Sequence, residues 1–134
     1  MTEILLIAKY RFNINLRITD GYRTYAQQDA LYLKGRRKIK GEGKVTNAKG
    51  GESNHNFGLA IDIVPLKKVN GSSIPNWDSK DYPLLGKIGQ DMVGLEWGGS
   101  WKTIKDNPHF QDLQGKTLKE LRVLPKDTKN LPVF

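Results

Sequence analysis

Residues 53 to 62 read SNHNFGLAID, from Ser53 to Asp62. The first half is polar and turn-forming; the second alternates. From Gly58 to Val64, Leu59, Ile61 and Ile63 fall on one side and Ala60, Asp62 and Val64 on the other. A period of two predicts a β-strand with one buried face, and Pro65 is expected to end it. His55 and Asp62 stand seven residues apart, an odd offset. On one straight strand they would point to opposite faces. For the two to meet, the chain must bend after His55, and Asn56-Phe57-Gly58 is the place for it. Asp62 would then project beside Gly58 and Ala60, whose small size leaves room for a ligand.

A second short stretch, DNPHF from Asp106 to Phe110, carries His109. His55 and His109 are the two histidines of the chain, and there is no cysteine. That composition excludes a thiolate zinc site. A catalytic zinc instead takes three ligands from His and carboxylate and keeps one position open. His55, Asp62 and His109 can supply that set, with His109 starting a strand after Pro108 and facing Asp62 across a sheet. Asp106, three residues before His109, can hang over a metal without ligating it and move a proton. Arg23 follows a turn and precedes a capped helix, where an arginine can clamp a carboxylate or stabilise an oxyanion. Other readings of the same residues stay open. The histidines can be surface or hydrogen-bonded core residues. Asp62 can pair with Arg23 or a lysine, and Asp106-Asn107-Pro108 can be a plain turn.

Outward from these stretches the chain alternates helices and short strands. Apolar spacing predicts a helix from Glu3 to about Phe12, and LRIT (Leu16 to Thr19) reads as a strand. Thr24 with Gln27 forms a capping box for a helix from Tyr25 to about Lys34, closed by Gly35. Residues 36 to 52, rich in Gly and Lys, read as a long exposed loop. Lys67 to Lys80 is turn-rich. Leu84, Leu85, Ile88 and Met92 predict a helix over Pro83 to Gly94, weakened by Gly86 and Gly89. EWGGSW, from Glu96 to Trp101, reads as a turn with aromatic flanks, and His109 to Leu113 as a strand. Thr117 and Glu120 cap a last short helix carrying Leu118 and Leu121. No repeat and no inter-domain linker is visible, so residues 1–134 are expected to form one domain without a separate binding module.

Twenty-two basic residues against 14 acidic give a net charge of +8. Such a charge favours polyanionic partners: nucleic acid, anionic lipid or the anionic polymers of a bacterial wall. Seven of the basic residues lie between Lys34 and Lys49, but no nucleic-acid-binding motif accompanies them, so nucleic acid is not the expected partner. The opening MTEILLIAKYRF lacks the pattern of a secretory leader, and no apolar run approaches a membrane span. The chain is expected to be made in the cytoplasm and to reach its site of action by another route.

These residues together resemble the LAS-type zinc peptidases, which include lysostaphin-like enzymes, D-Ala-D-Ala metallopeptidases and hedgehog domains. Within them the chain is most similar to the L-alanyl-D-glutamate endopeptidases of phage endolysins and bacterial wall remodelling. The resemblance rests on LRITDGYRTYAQQDALYLKGR (Leu16 to Arg36), VTNAKGGESNHNFGLAIDIVP (Val45 to Pro65) and LEWGGSWKTIKDNPHF (Leu95 to Phe110). It implies an α+β fold, with a small antiparallel sheet carrying the site and helices around it. It implies one Zn2+ per chain on His55, Asp62 and His109, with Asp106 as general base and Arg23 stabilising the tetrahedral intermediate. Ser53 and Gln28 would line the substrate cleft. The implied substrate is peptidoglycan, cut in its stem peptide by a monomer, with anionic wall polymers as further partners. Asn54, Ser100 and Gln27 depart from the pattern of the group, which bears on the bond chosen. The alternatives on the same fold are a D-Ala-D-Ala-type carboxypeptidase and a zinc-binding recognition module without turnover.

Overall fold

In the computed structural model, which describes residues 1–134, the alternating stretch becomes β2 (Ala60–Val69), the strand around which a five-stranded antiparallel sheet assembles. Its neighbours are β1 (Leu16–Asp20) on one side and β5 (His109–Gln111) on the other; β4 (Glu96–Trp97) pairs with β5. The far end of β2 folds back on β3 (Ser72–Pro75), with Val69 opposite Ser72. Asn70 and Gly71 form that two-residue hairpin, both with positive φ. Asn-Gly suits such a turn because it tolerates left-handed backbone at both positions. The sheet thus reaches into the segment that reads as turn-rich.

Pro65 does not end the strand. Ile63 donates its N–H to Pro108 O on the β5 side, while Leu66 donates to Asn15 O on the β1 side. Backbone directions alternate along a strand, so Pro65 faces the side that β5 has left, where its carbonyl accepts from the N–H of Asn76, just beyond β3 (2.8 Å). β5 covers only Ala60 to Asp62 and β3 pairs from Leu66 onward, so the missing donor falls at the margin between the two ladders. The expected single buried face is also corrected. Ala60, Ile61, Ile63 and Val64 are all buried, so both faces are covered and Asp62 is the partly exposed break between them.

Two units divide the chain. The first comprises Met1–Gly21 and Ala60–Asp112 and contains the whole sheet. In it α1 (Glu3–Phe12) contributes Ile4 and Ala8, one helical turn apart, to a core with Ile63, Val64, Tyr82, Leu85 and Phe110. The helix expected over residues 83–94 is α3 (Tyr82–Lys87) followed by a wider π-type turn, Ile88–Val93. Its two glycines mark close approaches. A Cβ on Gly86 would lie 2.2 Å from the Trp97 indole, and one on Gly89 2.6 Å from the Phe110 ring.

The second unit comprises Tyr22–Leu59 and Leu113–Phe134. Both capping boxes form: Thr24 and Gln27 start α2 (Tyr25–Leu33), and Thr117 and Glu120 start α4 (Leu118–Val123). Phe57, Leu59 and Leu121 are its buried apolar centre, with Tyr25 edge-on to Phe57. Residues 36 to 52 contain neither helix nor strand. They are tied to α2 by Gln28 Nε2 donating to Ala48 O (2.8 Å) and Gly50 N–H donating to Asp29 Oδ1 (2.7 Å).

Candidate metal centre

Asp62 on β2 stands directly opposite His109 on β5. Residues opposite each other in an antiparallel pair project to the same face, and His109 Nδ1 comes within 3.2 Å of Asp62 Oδ1. The His109 side chain is 8% exposed and that of Asp62 is 23% exposed, so this pair is largely withdrawn from water. On the far side of the ring, Nε2 lies 2.7 Å from Gln111 Oε1. Burial opposes a charge on the ring. The bonds to Asp62 and Gln111, with the charges of Asp62 and Asp106, outweigh it, and the pKa of His109 is raised above its ordinary 6.5. The Trp101 ring sits 5.3 Å from the imidazole, centroid to centroid.

The segment before His109 is locked to the EWGG stretch. Trp97 Nε1 donates to Asn107 O (2.8 Å), and Asp106 N–H donates to Gly98 O (3.0 Å). No side chain fits at Gly98 or Gly99: a Cβ would meet Asp106 O at 2.4 Å or the Trp97 indole at 2.0 Å. The carbonyl of Asp106 accepts the N–H of His109 (3.2 Å). Asp106 is thus fixed through its backbone while its residue stays exposed, and its charge is felt at His109. Tyr82, at the start of α3, is a group that the sequence reading did not single out. Its buried hydroxyl has no hydrogen-bond partner. Burial first, then the charges of Asp106, Asp62 and Asp78, push its pKa up to about 12, so it stays a neutral phenol.

His55 lies in a 3-10 turn, Asn54–Phe57, that Ser53 caps by accepting the His55 N–H at its Oγ (3.4 Å). Gly58, at φ +69°, ends the turn in left-handed backbone and supplies the bend before β2. Buried Asn56 anchors this segment: its Oδ1 accepts from Gly51 and Ser53 N–H, and its Nδ2 donates to Arg23 O (2.9 Å). Arg23 N–H in turn donates to His55 O (2.9 Å), so the backbone ties the arginine to the histidine. The Arg23 guanidinium donates to Gln28 Oε1 (2.7 Å). Gln28 is fully buried, with both ends of its amide used inside the protein.

One ligand atom from each of His55, Asp62 and His109 lies within 4.8 Å of the others. Two imidazole nitrogens and a carboxylate oxygen fit a zinc-type cation with a free position better than a hard, all-oxygen-preferring one. Sequence reasoning gave Asn56 and Glu96 no role beyond a bend and a turn, and passed over Gln111. Gln111 had a visible signal: two residues from His109 on a strand, it projects to the same face.

Comparison with known proteins finds peptidases. The sequence pattern of the family described as D-alanyl-D-alanine carboxypeptidase matches residues 46–112. The peptidoglycan L-alanyl-D-glutamate endopeptidase CwlK of Bacillus subtilis is 45% identical over 118 residues, covering 81% of this chain and 67% of that protein. The crystal structure of the L-Ala D-Glu endopeptidase ChiX of Serratia marcescens superposes with a TM-score of 0.52 at 24% identity, over 90% of this chain and 82% of that one. That likeness supports the α+β fold.

Proposed function

The chain belongs to the D-alanyl-D-alanine carboxypeptidase family of peptidases, and from that membership we propose that it is a zinc endopeptidase cutting the peptidoglycan stem peptide between L-alanine and D-glutamate. The observation that carries the metal is the cluster of His55, Asp62 and His109 donor atoms. The choice of bond is supported by the similarity to CwlK, whose name specifies it. The family description favours a second reading, release of a terminal D-alanine from the same stem.

A zinc ion on His55, Asp62 and His109 would polarise the scissile carbonyl and lower the pKa of a water at its open position. The remaining work falls to side chains. Asp106, exposed beside His109, takes the proton of the attacking water and passes it to the leaving amine. The Arg23 guanidinium donates to the carbonyl oxygen as negative charge develops there. Gln28 accepts from that guanidinium and aims it, acting through Arg23 rather than on substrate. Ser53 holds the turn that carries His55 and contacts the stem peptide. Digestion of purified peptidoglycan tests the metal. A chelator is expected to abolish solubilisation and added zinc to restore it; full activity in excess chelator would sink the proposal.

A further inference from the structure

Behind His109 runs a chain of hydrogen bonds whose direction is fixed by chemistry. It begins at Trp101, whose Nε1–H can only donate and lies 2.7 Å from Glu96 Oε1. The other carboxylate oxygen, Oε2, lies 2.9 Å from Gln111 Nε2. An ionised carboxylate only accepts, so the amide of Gln111 must turn its NH2 toward Glu96. Flipping it would set two oxygens against each other at that distance. Gln111 Oε1 therefore faces His109 Nε2, 2.7 Å away. A carbonyl oxygen also only accepts, so Nε2 carries a hydrogen. In the neutral ring the other nitrogen, Nδ1, is then left with its lone pair pointing at Asp62 Oδ1, 3.2 Å away. Two acceptors facing each other at that distance need a proton or a metal cation between them.

We propose that Gln111, oriented by Glu96, is a positioning residue that holds His109 with Nε2 protonated and Nδ1 presented as a ligand beside Asp62. The inference rests on the proposed metal site but adds to it a relay, Trp101 to Glu96 to Gln111 to His109, that sets which nitrogen binds. A strand delivers the relay without further devices. His109 and Gln111 are two apart on β5 and share a face, and Glu96 on β4 is the register partner of Gln111. Outer hydrogen bonds of this kind tune metal affinity by about 10- to 100-fold.

The test compares three proteins: wild type, Gln111→Met, and the swap Glu96→Gln with Gln111→Glu. Gln111→Met keeps the length of the side chain and removes both polar atoms. The swap keeps the direction of the relay, because the glutamine at 96 donates to the carboxylate at 111, which still accepts from Nε2. Zinc affinity by chelator competition is expected to fall about 10- to 100-fold in Gln111→Met and to recover in the swap. Nitrogen-15 spectra of His109 give the direct readout. A hydrogen-bonded Nε2 proton is expected in wild type and in the swap, and loss of its slow exchange in Gln111→Met. Zinc on Nε2, or wild-type affinity and proton exchange in Gln111→Met, would overturn the proposal. The Nε2 proton is also read in the metal-free protein. A wild type that binds no zinc but shows that proton would sink the metal site and leave the relay standing.

Discussion

Asp106 tests the chemistry with little risk to the fold, because the structure fixes it by backbone bonds to Gly98 and His109. Asp106→Asn is expected to lower kcat by about a hundred- to ten-thousand-fold, the usual worth of a positioned acid–base group, with zinc affinity and melting temperature close to wild type. Unchanged kcat would remove Asp106 from the mechanism. His109 sets a pH dependence. Its pKa in the metal-free fold is raised above 6.5, because the Asp62 and Gln111 bonds and the neighbouring charges outweigh burial. A raised pKa stabilises the metal-free fold below the unfolded value, and that contribution is lost as pH rises through the folded one. Zinc binding runs the opposite way, since the ligand nitrogen must first lose its proton. Zinc affinity, measured by competition across pH, should therefore begin to fall above pH 6.5 as the solution is acidified. Affinity constant down to pH 6.5 would contradict the raised pKa.

The elements around the site were unevenly legible in the sequence. Both capping boxes and the bend before β2 were readable because each depends on a few adjacent residues with one preferred geometry. The full length of β2 was not. Pro65 signals a strand end, and only the tertiary pairing shows that it falls between the end of β5 and the end of β3, where its carbonyl still accepts from Asn76. The β2–β3 hairpin did carry its signal, Asn70-Gly71, inside a run that composition alone marks as loop. Gly86 shows the same limit from the other side. By propensity it weakens α3; in the structure it makes room for the Trp97 indole. Gly86→Ala should therefore destabilise by about 1–3 kcal/mol, as overpacking does, despite the roughly 1 kcal/mol that alanine gains in an open helix. Chemical denaturation decides, and a more stable variant would show that the indole gives way freely.

At the scale of the whole molecule, the candidate ligands were legible because the composition leaves so few: two histidines and no cysteine. The groups that orient them were hidden because their partners are distant in sequence. Glu96 meets Gln111 only through strand register, and Asn56 reaches Arg23 across a fold of the chain. The net charge of +8 bears on partners and not on architecture. What the molecule does turns on one bond. Zinc-loaded protein incubated with a muropeptide of defined stem sequence, followed by mass analysis of the fragments, tests it directly. Cleavage between L-alanine and D-glutamate predicts a muramoyl-L-alanine fragment and a peptide that begins with D-glutamate. Loss of a terminal D-alanine alone, or an intact stem, would contradict it.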